Sequence, residues 1–130
     1  METSAKERRA LYTRRVEAVY RQGETAHESG DFDEAIRNFT RVSELKPVIS
    51  VHGNASFDYA TILIELERWP EAIAVLESFR IDFPDHPLQT SLLEKLVLAY
   101  ENDRQWDQAA VYLEAIYQRE GSSALGRDAL

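Results

Sequence analysis

The chain contains the stretch Gly30-Asp31-Phe32-Asp33-Glu34-Ala35-Ile36, and two related stretches follow it at a constant interval. The second, Glu67-Arg68-Trp69-Pro70-Glu71-Ala72-Ile73, begins 37 residues later, and the third, Arg104-Gln105-Trp106-Asp107-Gln108-Ala109-Ala110, begins after another 37. In each stretch an aromatic residue is followed three positions later by an alanine. A fixed interval of this size is typical of chains built from one repeated supersecondary unit. The three predicted units cover about residues 16–52, 53–89 and 90–126.

Each unit has the apolar spacing of two amphipathic helices joined by a short turn. In the second half of the first unit, Ala35, Phe39 and Val42 recur at intervals of four and three residues, which places them on one helix face. The two other units repeat this pattern. The predicted apolar stripes are Ala35, Ile36, Phe39, Val42 and Leu45, then Ala72, Ile73, Leu76 and Phe79, then Ala109, Ala110, Leu113, Ile116 and Tyr117. The predicted helices lie near residues 5–29, 33–46, 54–67, 70–82, 88–103 and 107–120.

Small and aromatic residues indicate how the two helices of a unit meet. Gly23 and Ala60 fall where antiparallel helices would have to approach closely, and Trp69 and Trp106 are predicted to fill the core beside the turn. Gly30 favours a tight turn in the first unit, because glycine tolerates a left-handed backbone. Glu67-Arg68 and Arg104-Gln105 replace it in the others, so we expect less defined turns there. Pro47, Pro84 and Gly121 are predicted to end the three units.

A single helix hairpin cannot bury its apolar face, whereas stacked hairpins share a core and form a curved solenoid. The sequence therefore predicts an all-α fold and a single domain over residues 1–130. With only five glycines and four prolines, the chain lacks the turn formers of a β-sandwich.

Composition excludes several functional classes. The net charge of −8, from 23 acidic and 15 basic residues, disfavours nucleic acid as a partner. The absence of cysteine excludes disulfides, thiolate zinc sites and cysteine nucleophiles. The longest apolar runs, such as Ala72–Leu76, contain five residues, against about twenty for a membrane span.

These residues resemble the tetratricopeptide repeat family over about residues 16–121. In the first unit the likeness rests on Gly23, Gly30-Asp31-Phe32, Ala35, Phe39 and Pro47. The second and third units keep Ala60, Trp69, Ala72 and Pro84, and then Tyr100, Trp106 and Ala109. The resemblance implies a right-handed superhelical stack of three antiparallel hairpins. It also implies a non-catalytic scaffold for protein–protein interaction.

Two features depart from the family pattern. The family unit has 34 residues, and the three additional ones fall within Val48–Gly53 and Asp85–Thr90, between the units. Longer turns of this kind resemble those of bacterial cell-envelope repeat proteins. The second departure concerns the cationic clamp with which some members hold chaperone C-termini. Its positions here are Tyr20, Glu24, Asn54 and Asp58, so we expect a different ligand.

No catalytic, cofactor or metal motif is recognisable in the sequence. His27, His52 and His86 lie on different predicted elements and lack the spacing of a helical zinc site. The glycines never cluster into a phosphate-binding loop. We therefore expect no enzyme activity, cofactor or metal.

The first helices are predicted to line the concave surface, where we expect an acidic groove with apolar spots. Its partner would be a protein, as a peptide or helix with Lys or Arg beside apolar anchors. The alternative is a groove that is only exposed to water. The candidate partner-binding residues are Tyr20, Glu24, His27, Glu28, Asn54, Phe57, Thr61, Ile64, Glu65, Glu94, Leu98 and Glu101.

The C-terminal segment suggests a second kind of interaction. Residues 122–130 fall where the first helix of a fourth unit would begin, so the chain is predicted to be a segment of a longer array. Apolar stack ends would alternatively drive assembly of a homodimer. We expect a cytoplasmic location if the chain is complete, and the bacterial periplasm or cell envelope if it is an excised segment.

Overall fold

The computed structural model describes residues 4–45 and 49–128, with side chains over 4–45 and 51–121. Six helices and no strand are present in these ranges, which confirms the all-α prediction. The helices are α1 (Ala5–Glu28), α2 (Phe32–Glu44), α3 (Ile49–Glu65), α4 (Trp69–Asp82), α5 (Gln89–Asn102) and α6 (Trp106–Asp128). None of them is long and apolar enough to cross a bilayer.

The helices pack in chain order. They form the hairpins α1–α2, α3–α4 and α5–α6, and each hairpin joins the next through α2–α3 and α4–α5. The first helices α1 and α3 also touch each other. The predicted stripes of α2 and α4 lie in the core, where Phe39, Leu76 and Phe79 are almost fully buried.

The three hairpin turns have the same backbone geometry. Gly30, Glu67 and Arg104 occupy equivalent positions and have φ values of 79°, 57° and 60°. Each is followed by a residue whose N–H reaches back five residues to a helix carbonyl, at 2.9, 2.8 and 2.8 Å respectively. This is the Schellman arrangement that closes helix C-termini. The expectation of less defined turns at Glu67 and Arg104 is therefore wrong, because helix packing imposes one turn on all three sequences.

The helix boundaries differ from the predicted ones at two places. α3 begins at Ile49 rather than near 54, so most of Val48–Gly53 extends a helix instead of forming a loop. A Cβ on Gly53 would lie 2.6 Å from His86 Cδ2, so this early turn packs closely against the loop after α4. α6 continues past Gly121 and Gly126 to Asp128, because each helical glycine costs only about 1 kcal/mol. Pro47 lies outside the described residues.

Two further predictions concern α6 and the small residues. Trp106 is 60% exposed, so its placement in the core is wrong. Its counterpart Trp69 packs against the core cluster of the second and third units. Gly23 does allow close approach, because a Cβ there would lie 2.6–3.0 Å from three ring carbons of Phe39.

A polar contact joins the second unit to the third. The Glu77 carboxylate of α4 accepts hydrogen bonds from Tyr100 of α5 at 2.9 Å and from Tyr112 of α6 at 2.6 Å. Arg80 donates a third at 3.1 Å. Burial alone would raise the pKa of Glu77, but these three donors outweigh it and hold the pKa below its ordinary value. Burial, with help from Glu77, raises the pKa of Tyr112 to about 12.

Candidate functional site

Neighbouring first helices contact one another at a constant offset of 38 residues. The Tyr20 hydroxyl of α1 donates to Asp58 Oδ2 of α3 at 2.6 Å. One turn further along, His27 Nε2 lies 3.0 Å from both carboxylate oxygens of Glu65. Lys95 Nζ of α5 sits 5.4 Å from the ring centroid of Phe57 on α3. We call the surface formed by α1, α3 and α5 the first-helix face.

Asp58 lies at the centre of this face and is partly buried. Burial raises the pKa of its carboxyl group, while the hydrogen bond from Tyr20 and the nearby charges of His27 and Lys95 lower it; burial dominates. The pKa of Tyr20 is raised as well, by burial first and then by Asp58. The hydroxyl therefore stays protonated and acts as a donor to the carboxylate.

Glu24 extends the negative charge towards solvent. The pKa of its carboxyl group is raised by burial and then by Asp58 and Glu28, against a weaker opposing effect of Arg21. Both neighbouring carboxylates thus make ionisation of Glu24 harder. The face carries more negative charge here than its own cations compensate, and an added cation would be attracted to it.

The candidate residues fall into three groups. Tyr20 and His27 of α1 contact α3 directly, through Asp58 and Glu65. Phe57 is only 6% exposed and belongs to the core, so it is not one of the exposed apolar spots expected in the groove. Its ring faces inward because α3 is covered on that side by α5 and α4, with Lys95 above it. Thr61 uses its hydroxyl within α3, donating to the Phe57 carbonyl at 3.1 Å.

The remaining candidates differ in exposure and in the contacts they make. Asn54 and Ile64 are half-buried on α3, while Glu28 and Glu101 are exposed. Leu98 is 44% exposed on α5. Glu94 Oε1 lies 3.7 Å from Arg119 Nη2, so this carboxylate pairs with α6 rather than with α1 or α3.

Asp58 and Lys95 were absent from the candidates selected by sequence. The sequence-based candidates are equivalent positions of the units, which lie 37 residues apart. In the structure, neighbouring first helices instead bring together residues that are 38 apart. A search for opposite charges and hydrogen-bond pairs at several offsets would have found Tyr20 with Asp58. Among the described residues, no three His, Asp or Glu side chains are grouped closely enough to hold a metal ion.

Comparison with known proteins identifies one family. Its sequence model, described as tetratricopeptide repeat, matches residues 26–96, which is more than half of the chain. The match runs from the end of α1 to the middle of α5. A search of curated proteins finds no match.

Proposed function

This chain belongs to the tetratricopeptide repeat family, and we propose that it is a scaffold that binds a partner peptide or helix on the first-helix face. Such repeats generally mediate protein–protein interaction and are generally non-catalytic. We expect the partner to carry Lys or Arg beside apolar side chains.

One observation carries the choice of a basic partner. Asp58 of α3 lies close enough to Glu24 of α1 to raise its pKa, after burial and together with Glu28, so several carboxylates share this part of the face. A cationic side chain placed between Asp58 and Glu24 would stabilise both ionised forms. Charge complementarity of this kind also increases the rate of association and sets the orientation of the partner.

Apolar contact would come from side chains around the acidic centre. The half-buried ring of Tyr20 stays fixed by its hydrogen bond to Asp58, so it can contact a ligand at little entropic cost. Leu98 and Ile64 offer aliphatic surface on the neighbouring helices. Phe57 would contribute only if Lys95 moved away from its ring.

The test uses the full chain and a synthetic helical peptide in which Lys and Arg flank three leucines. Binding is measured by isothermal titration calorimetry for wild type, Asp58→Asn and Glu24→Gln, at low and at raised salt. Asn at position 58 still accepts the Tyr20 hydrogen bond and removes only the charge. Glu44→Gln is the matched control, since it removes one exposed carboxylate near the end of α2.

We expect each face variant to bind about three- to tenfold more weakly than wild type, since close charge pairs contribute about 1 kcal/mol. Raised salt should weaken binding to wild type more than to either variant. If Glu44→Gln weakened binding as much as the two face variants, the affinity would depend only on the net charge of the chain. Unchanged affinity in both face variants would refute this site.

A further inference from the structure

The second helix of each hairpin (α2, α4 and α6) presents a stripe of residues on one side. The next helix covers this stripe on α2 and on α4, whereas no described helix covers it on α6. On α4, Ile73 is 9% exposed and Leu76 is fully buried. The equivalent α6 residues Ala110 and Leu113 are exposed, Leu113 by 48%. Trp106 and Tyr117 lie on the same side of α6 and are each 60% exposed. We call Trp106, Ala110, Leu113 and Tyr117 the α6 stripe.

The two covered stripes show which kind of element fits. Ala55, Tyr59 and Ile62 of α3 pack into the core that contains the apolar residues of α2. Leu92, Leu96 and Ala99 of α5 take the same positions in the next unit and pack into the core around α4. In both cases an α-helix contributes apolar side chains at positions i, i+4 and i+7. The α6 stripe repeats the surface on which such a helix lies.

Charges at the edge of the α6 stripe add a second requirement. Glu114 is the repeat counterpart of Glu77, which accepts a hydrogen bond from Tyr100 of the covering helix α5. Glu114 is exposed and accepts a hydrogen bond from Gln118 of its own helix at 2.8 Å. Asp107 is exposed along the same edge. A covering helix would therefore place a donor opposite Glu114, at its position i+8.

A second copy of this chain meets those requirements poorly. The residues of α1 that correspond to Leu92, Leu96 and Ala99 are Ala18, Gln22 and Thr25, all exposed, so a copy stacked head-to-tail would bring polar groups against the stripe. In a two-fold pairing of α6 with itself, the same edge is used twice. When the two copies run antiparallel, this edge lies against the same edge of the other copy, so Asp107 and Glu114 would lie near carboxylates of like charge.

We propose that the α6 stripe binds an amphipathic helix of a partner protein, with apolar residues at i, i+4 and i+7 and Lys or Arg at i+8. The stripe lies on a different surface from the first-helix face, so the two proposals stand or fall separately. Apolar side chains of the partner would cover Leu113 and the two aromatic rings, and the cation would pair with Glu114.

The probe is a synthetic peptide that copies Leu88–Asp103, the chain's own covering helix, and a second peptide with Tyr100→Lys. The control peptide copies Thr13–Glu28, which presents Ala18, Gln22 and Thr25 instead. Each is titrated into the ¹⁵N-labelled full chain while the two tryptophan indole N–H resonances are followed. Trp106 reports on the α6 stripe, and Trp69 serves as an internal reference because it packs against the core.

We expect the covering-helix peptide to move the Trp106 resonance without moving that of Trp69, and the control peptide to move neither. Leu113→Asp should weaken binding at least about tenfold, since it replaces an apolar contact by a charge. Ile81→Asp is the matched control because Ile81 is also exposed, by 66%, and lies on α4 outside both proposed surfaces. Tyr117→Asp provides a second stripe variant. Wild type should bind the Tyr100→Lys peptide several-fold more tightly than the unchanged covering-helix peptide. The Glu114→Gln variant of the full chain should lose this gain.

The absence of a Trp106 shift with either covering-helix peptide would overturn the proposal. Equal effects of Leu113→Asp and Ile81→Asp would also overturn it, as would equal binding of the control peptide. Sedimentation equilibrium addresses self-association. A dimer of wild type that Leu113→Asp dissociates would assign the stripe to a second copy and refute binding of a basic partner helix.

Discussion

The contact between Gly23 and Phe39 predicts a strong coupling between two core positions. The first unit combines glycine with phenylalanine at these positions, and the second unit combines Ala60 with Leu76. Replacing both residues of the first unit, Gly23→Ala with Phe39→Leu, copies the second. We expect the double variant to be more stable than the sum of the two single effects indicates.

The magnitude follows from the distances. A Cβ on Gly23 would lie 2.6, 2.8 and 3.0 Å from Phe39 ring carbons, about 1 Å inside ordinary contact, and the ring is only 1% exposed. Such overpacking costs about 1–3 kcal/mol, of which the better helix propensity of alanine offsets about 1 kcal/mol. Phe39→Leu alone leaves unfilled space and costs about 1–2 kcal/mol. In the double variant the alanine methyl occupies part of that space, so the coupling should be about 1–2 kcal/mol in its favour.

Urea denaturation followed by far-ultraviolet circular dichroism measures the unfolding free energies of all four proteins, provided that their m-values agree. A control cycle pairs Gly23→Ala with Ile81→Ala, an exposed residue on α4, and should show no coupling. If the Gly23 and Phe39 effects add within about 0.5 kcal/mol, the close packing inferred here is wrong.

The remaining predictions concern the turns and an acidic side chain. Glu67→Gly and Arg104→Gly should each raise the unfolding free energy by about 0.5–1 kcal/mol, because both residues have positive φ. Gly30→Ala should lower the unfolding free energy by about 1 kcal/mol. Urea denaturation measures all three variants, and a change of the opposite sign would contradict this reasoning. The pKa of Glu77 is lowered in the folded chain from an ordinary value of 4.5, so its stabilising contribution is present above that pH and lost as pH falls through the folded pKa. Glu77→Gln should therefore be less stable than wild type at pH 7, by a margin that narrows below about pH 4.5; a margin independent of pH would exclude the linkage.

Patterns within one helix could be predicted from the sequence. The apolar spacing from Ala35 to Leu45 and from Ala72 to Phe79 located α2 and α4 and their buried faces correctly. These predictions succeed because helix periodicity and burial are local consequences of residue order. The family assignment followed from the same repeated positions.

Features that depend on a neighbouring element could not be read from the pattern. Trp106 matches Trp69 in position, yet it is exposed because no described helix covers that side of α6. Arg104 adopts a glycine-like backbone because packing of α5 on α6 outweighs the local cost. Asp58 became part of the candidate site only through its contact with a helix in another unit.

The offset between first helices has a consequence for anyone who designs or lengthens such a stack. The units recur every 37 residues, but the contacts of α1 with α3 and of α3 with α5 join residues 38 apart. When a unit is copied, each residue of a first helix faces the residue one position after its equivalent in the next copy. Identical charges at equivalent positions of consecutive copies therefore do not face each other. To pair an inserted acid with a base, a designer must place the base one residue later in the following copy.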